Sequence, residues 1–113
     1  MLKYYLAQIA LNDQQYGQVI QEGLQLLSEY PDHEFNSEIN RIVGESYYYE
    51  GDNDNAIQYL NRYVTNTKDP LRESLYLLGI AYFKSGNYPS AIEYLKQTTT
   101  GNDALMQNAY LYL

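Results

Sequence analysis

Chemistry shows in a sequence first through histidines, cysteines and convergent carboxylates. Here His33 is the sole histidine and there is no cysteine. Without a thiol, disulfides, thiolate metal sites and cysteine nucleophiles are excluded. His33 follows Pro31-Asp32 at a helix start, with no second ligand at metal spacing, so it reads as an exposed turn residue. One turn histidine supports no serine–histidine–acid arrangement. The run Gly51-Asp52-Asn53-Asp54-Asn55 has a superficial look of calcium chemistry, but it lacks the loop order and closing glutamate of a calcium-binding hand. Asp52 and Asp54 are better suited to cap a helix. Apolar residues recur at three and four rather than at two, so no strand leads into a phosphate loop. The expectation is a non-catalytic chain with no cofactor and no metal.

Aromatic and acidic residues remain. The 113 residues include 15 Tyr and 2 Phe but no Trp, and the net charge is −7. Tyrosine joins a large apolar body to a hydroxyl that wants a partner or water, so it suits half-buried surfaces. The charge falls unevenly: −4 over residues 1–36, −3 over 37–71 and zero over 72–113. Such a chain repels phosphate backbones, which argues against nucleic acid. It favours neutral or basic protein partners over acidic ones. No apolar run reaches the roughly 20 residues of a membrane span, so membrane insertion is not expected. No signal peptide is visible, and the lack of cysteine leaves the compartment open.

These side chains must be positioned by helices. Leu2 to Leu11 is a short helical segment broken at Asn12-Asp13. Tyr16 to Tyr30 follows, with Val19, Ile20, Leu24 and Leu27 on one face, and Tyr30-Pro31-Asp32 turns the chain. Gly23 costs that helix about 1 kcal/mol of propensity relative to Ala, which suggests close approach of a neighbouring backbone. A helix within 33–50 ends at Gly51, suited to a left-handed cap. The Asp52 to Asn55 run starts the next, which ends near Asn66. After Lys68-Asp69-Pro70 come helices over 71–85 and 88–99, separated by Gly86-Asn87. Pro89 is acceptable in a first turn. The run Thr98 to Asn102 loosens the chain, and Asp103 starts a last partial helix.

The helices repeat. Asn40 to Leu60 and Leu75 to Leu95 match at a separation of 35 residues: Gly44 with Gly79, Tyr47 with Tyr82, Gly51 with Gly86, Ala56-Ile57 with Ala91-Ile92, Tyr59-Leu60 with Tyr94-Leu95. Ala7 and Val19 repeat the spacing of Gly44 and Ala56. A period in this range marks a stacked array, whose units bury their apolar faces only against neighbours. The units run about 1–36, 37–71 and 72–106, with the first helix of a fourth at about 103–113. Gly44 and Gly79, with Ala56 and Ala91 opposite, let the two helices of a unit approach closely.

The chain resembles the tetratricopeptide repeat family. The third unit carries Leu75, Leu78, Gly79, Tyr82, Ala91 and Leu95; the second carries Val43, Gly44, Tyr47, Ala56 and Leu60, with Asn40 in the large-residue slot. The first carries Leu6, Ala7, Ala10, Val19, Gly23 and Pro31. Lys68 and Asp103 depart from the terminal proline. The resemblance implies an all-α fold: a right-handed α-solenoid of antiparallel helix pairs, about three repeats plus a half repeat. It implies a concave groove lined by first helices, used to bind proteins. Spacing then nominates groove residues: Tyr4, Gln8 and Leu11; Glu38, Arg41, Glu45 and Tyr48; Glu73, Tyr76, Ile80 and Phe83. Tyr49, Lys84 and Asn12 lie at the rim. Tyr48, Tyr76 and Phe83 have a second reading as packing between first helices, and Tyr59, Tyr63 and Tyr94 read as structural. Some members grip acidic chaperone tails with cations at fixed groove positions. The matching places here hold Tyr4, Gln8, Ile42, Glu73 and Leu77, so that clamp is absent.

The C-terminal tract Tyr110-Leu111-Tyr112-Leu113 has no polar cap, and terminal repeats usually carry one. The expectation is a piece of a longer repeat protein, and the tyrosine-rich phrasing is similar to bacterial repeat proteins of the cell envelope. Two functions stay open: a scaffold that binds a partner segment in its groove, or a spacer that self-associates through residues 103–113.

Overall fold

A computed structural model describes residues 2–98, with side chains from residue 5 onward. The described residues form six helices: α1 (Leu2–Asn12), α2 (Tyr16–Glu29), α3 (Asn36–Tyr49), α4 (Asn53–Thr65), α5 (Arg72–Lys84) and α6 (Tyr88–Gln97). They contain no strand. Residues 103–113, assigned above to a fourth unit and to self-association, lie outside the described residues. The groove candidate Tyr4 belongs to α1, but its side chain is also outside them.

Three tight turns join the helices within the pairs. Gly51 and Gly86 stand at φ +86° and +89°, where a Cβ would be strained. The Asp52 N–H reaches the Tyr47 carbonyl and the Gly51 N–H the Tyr48 carbonyl, an arrangement that Asn87 and Gly86 repeat on Tyr82 and Phe83. These bonds satisfy the last carbonyls of α3 and α5. The next residue then opens the following helix: the Asp52 carboxylate accepts from the Asn55 N–H, and the Asn87 side chain from that of Ser90. The first pair makes the same turn with Gln14 at φ +60° in place of glycine. Gln15 and Gln14 donate to the Ala10 and Leu11 carbonyls.

Glycine also decides how closely the helices of a pair meet. A Cβ on Gly44 would lie 2.9 Å from the Leu60 backbone nitrogen, and one on Gly79 would lie 2.8 Å from Leu95 Cγ. The first pair solves the same problem differently. Ala7 stands where Gly44 does, while Gly23 stands where Leu60 does. The neighbour of Gly23 is the Val43 side chain of the next pair, not the backbone that sequence reasoning suggested. Leu26 joins Ile39 and Val43 in one buried cluster, and Leu60 joins Leu77 and Leu78 in another. The core is therefore a chain of small cores, most of them shared by a second helix and the first helix that follows it, while Ile80 and Leu95 meet inside the third pair.

Candidate interaction surface

The inner row consists of first helices. The α1 backbone approaches α3, and α3 approaches α5, whereas α2 and α4, or α4 and α6, make no such approach among the described residues. An array that is close on one side and splayed on the other is concave on the close side. The groove candidates lie along that row, and the structure divides them into three groups.

The first group is charged and already satisfied. Arg41 donates from Nε to Glu38 and from Nη1 to Glu45, both at 3.0 Å. Ser74 Oγ of α5 donates to the same Glu45 oxygen, Oε2, at 3.0 Å. Glu45 is 8% exposed. Burial raises its carboxyl above the ordinary range, against the attraction of Arg41 and the hydrogen bonds of Arg41 and Ser74. The Arg41 guanidinium is pushed further up: burial opposes this, and Glu45 and Glu38 outweigh it. Glu45 is thus a buried strut between α3 and α5 rather than a groove acid: its Oε2 is taken up by Arg41 and Ser74, which offset part of the cost of burying a carboxylate.

The second group is apolar and withdrawn. Ile80 is 1% exposed, in a cluster with Leu95 against which Tyr48 and Tyr76 pack. It cannot line an open surface, since α5 is buried on more sides than a three-four spacing distinguishes. Leu11 packs on the Ala7, Ala10, Val19 and Ile42 cluster. Tyr48 and Tyr76 are half-buried and shared by two clusters, so the packing reading holds for one side of each ring. Phe83 meets the Tyr88 ring edge-on at 5.5 Å.

The third group stays accessible. Glu73 is exposed in the first turn of α5, where the helix dipole favours an acid. Gln8 is half-exposed, as is Glu38 of the first group beside its Arg41 partner. Tyr49, expected at the rim, is 46% exposed and stacks on Tyr16 with ring centres 5.0 Å apart. Tyr48 meets Tyr49 edge-on at 5.3 Å, and the Lys84 ammonium lies 5.3 Å from the Tyr48 ring centre. Burial, then Glu73 and Glu45, push the Tyr49 phenol up to about 12. Tyr16 was missed as a surface residue: its only signal was that it opens α2 as Tyr88 opens α6.

A separate polar cleft of about 420 Å³ lies at the other end of the second unit, among Pro31, His33, Asn36, Asn40 and Arg62. The Asn36 and Asn40 Oδ1 atoms are buried without a partner among the described residues. The cleft is roomy enough for water to serve them. His33 is half-buried rather than exposed: its Nδ1 accepts from the Phe35 N–H at 3.1 Å, which orders the turn. Among the described residues no group of acids and histidine is arranged to hold a metal, and no helix is long and apolar enough to cross a membrane.

Helix pairs stacked through shared cores, with close glycines and a concave inner row, define a tetratricopeptide-like repeat solenoid, a class that generally mediates protein–protein interaction and is generally non-catalytic. The family model described as anaphase-promoting complex, cyclosome, subunit 3 matches residues 44–113, and the chain belongs to that family. No curated protein matches it.

Proposed function

We propose that the concave inner row binds an extended or helical segment of a partner protein that is neutral or basic, and that the chain itself catalyses nothing. The observation behind this reading is the accessible strip that crosses the units: Tyr16 and Tyr49 stacked, Tyr48 beside them, and Glu73 exposed at the start of α5. Aromatic anchors with few charges are what recognition surfaces use. Arg41 is consumed by Glu38 and Glu45. The places of the chaperone-tail clamp hold buried Ile42 and Leu77 and the acid Glu73, so an acidic segment finds repulsion there.

The test uses exposed positions, because substituting Tyr48 or Tyr76 would also disturb the core. Tyr49→Ala/Glu73→Lys is expected to keep the wild-type melting temperature and to lose at least about tenfold in affinity for partners captured by the wild-type chain, a difference of about 1.4 kcal/mol. Equal capture by both proteins would place binding elsewhere.

A further inference from the structure

The polar cleft of the second unit opens where the repeat changes residue type. Asn40 stands where Leu75 stands in α5, and Asn36 where Leu71 does. Leu75 is buried, whereas Asn40 lines an opening of about 420 Å³. That is more than ten times the roughly 30 Å³ of one water. Two oxygens there are unspent: the Asn36 and Asn40 Oδ1 atoms are buried without a partner among the described residues. The Asn36 amide cannot turn over to use its other end, because Nδ2 donates to the Tyr30 and Pro31 carbonyls at 2.8 and 2.7 Å. A buried acceptor without a donor is costly, so the two oxygens call for N–H or O–H groups. Water can supply them. A ligand that does so must also match the rest of the lining.

That lining selects the donor. Glu34 and Arg62, both exposed, give it one charge of each sign. The Arg62 guanidinium lies 5.0 Å from the centre of the Tyr59 ring and makes no ion pair among the described residues. An ammonium group would satisfy the oxygens but meet Arg62. A carboxylate would satisfy Arg62 but meet the oxygens. A primary carboxamide suits both, since its NH2 donates twice and its carbonyl accepts. Asn36 and Asn40 stand one turn apart on a single face of α3, a spacing that sets Cβ atoms about 5–6 Å apart. Two N–H···O bonds of about 2.9 Å from one nitrogen end on oxygens about 5 Å apart. We propose that this cleft binds a primary carboxamide, that of a glutamine or asparagine, which donates to the Asn36 and Asn40 Oδ1 atoms and accepts from Arg62. The cleft lies at the start of α3 and Tyr49 at its end, so the inference does not depend on groove binding.

The test titrates the isotope-labelled 113-residue chain with N-acetyl-L-glutamine methylamide and with its glutamate and methionine counterparts, which share its backbone. NMR shifts read affinity, and the side-chain signals of Asn36, Asn40 and Arg62 read location. The glutamine probe is expected to bind about tenfold or more tightly than either counterpart. Asn40→Leu, which restores the residue that α5 has in this slot, is expected to abolish the preference at an unchanged or higher melting temperature. Arg62→Gln changes an exposed side chain. It is expected to weaken the preference and decides the matter if the leucine variant misfolds. Free L-glutamine separates the two sources of the group: tighter binding of the capped probe points to a side chain of a partner protein, tighter binding of the free amino acid to a small molecule, and the carboxamide stands either way. Equal binding of the three capped probes leaves the cleft to water and overturns the proposal. So does tighter binding of the glutamate probe, or a glutamine preference that neither variant weakens.

Discussion

The two junctions between units occupy the same register but are built from different chemistry. Between the first and second units the contact is apolar: Gly23 lies under Val43, Leu26 meets Ile39, and Leu24 packs against the same cluster as Tyr47 and Tyr59. Between the second and third units an apolar cluster of Leu60, Leu77 and Leu78 is framed by polar contacts. Asn61, which stands where Leu24 does, donates to the Tyr82 hydroxyl and accepts from that of Tyr94 at 3.3 Å. Those two rings are stacked 5.7 Å apart, as Tyr47 and Tyr59 are one unit earlier. The Tyr63 hydroxyl accepts from the Leu71 N–H at 3.0 Å, at the start of α5, where no side chain of its own caps the helix. Glu45 and Ser74 add a third cross-link. Apolar contact is non-directional, so it leaves the direction of the first junction to the turn, where the Asn36 side chain at the start of α3 donates to the Tyr30 and Pro31 carbonyls. Hydrogen bonds at the second junction fix where α5 starts and how it is rotated. The lesson is that a repeat keeps the shape of a slot while its chemistry varies.

Overpacking should hit hardest. Gly79→Leu forces a side chain into Leu95 and is expected to cost about 3 kcal/mol, read as a sharp fall in melting temperature. Gly23→Leu should cost nearly as much at the first junction, although the same slot holds leucine at position 60. Partial rescue of Gly23→Leu by Val43→Ala would show that Val43 is what fills the space. Next in size come the directional contacts. Tyr63→Phe and Asn61→Leu should each cost about 1 kcal/mol in chemical denaturation. Their effect on hydrogen exchange should be concentrated in α5 and α6, leaving α1 and α2 as they were. A spread over all six helices would mean the junctions are not separable.

The smallest effect is one of pH. A carboxyl raised on folding, as Glu45 is above its ordinary 4.5, contributes stability that is fully present below that value. This contribution is lost as pH rises through the raised one. Relative to Glu45→Gln, the wild-type chain should therefore lose melting temperature as pH climbs above 4.5. A gain instead would show that Arg41 dominates burial. Gln8 holds the equivalent place in α1, so the first junction carries no such dependence.

The features legible in the sequence were local. Gly44, Gly79, Gly51, Gly86 and Asp52 announce close packing, left-handed turns and a cap through residue type alone. The helix boundaries followed to within a few residues. What failed was lateral position. Spacing put Glu45 level with Ile80, yet its partner is Ser74, six residues earlier on α5, because neighbouring helices are offset along their axes. That offset turns a groove acid into a buried strut, and no pattern within one helix reports it. The stack of Tyr16 on Tyr49 joins different units for the same reason. Gln14 in a left-handed turn was hidden because residue type gives no hint of it.

The splayed outer row has a mechanical meaning. Since α2, α4 and α6 share no backbone contact with one another among the described residues, a change of curvature slides nothing on that side. The first helices form the hinge line, and across it, between α3 and α5, runs the Ser74 to Glu45 bond, with Arg41 holding the same carboxylate from within α3. Cutting that strut is expected to leave the apolar clusters in place and the units folded. The angle between them is then expected to rest on the Asn61 and Tyr63 bonds alone, so that the array keeps its parts while its pitch loosens.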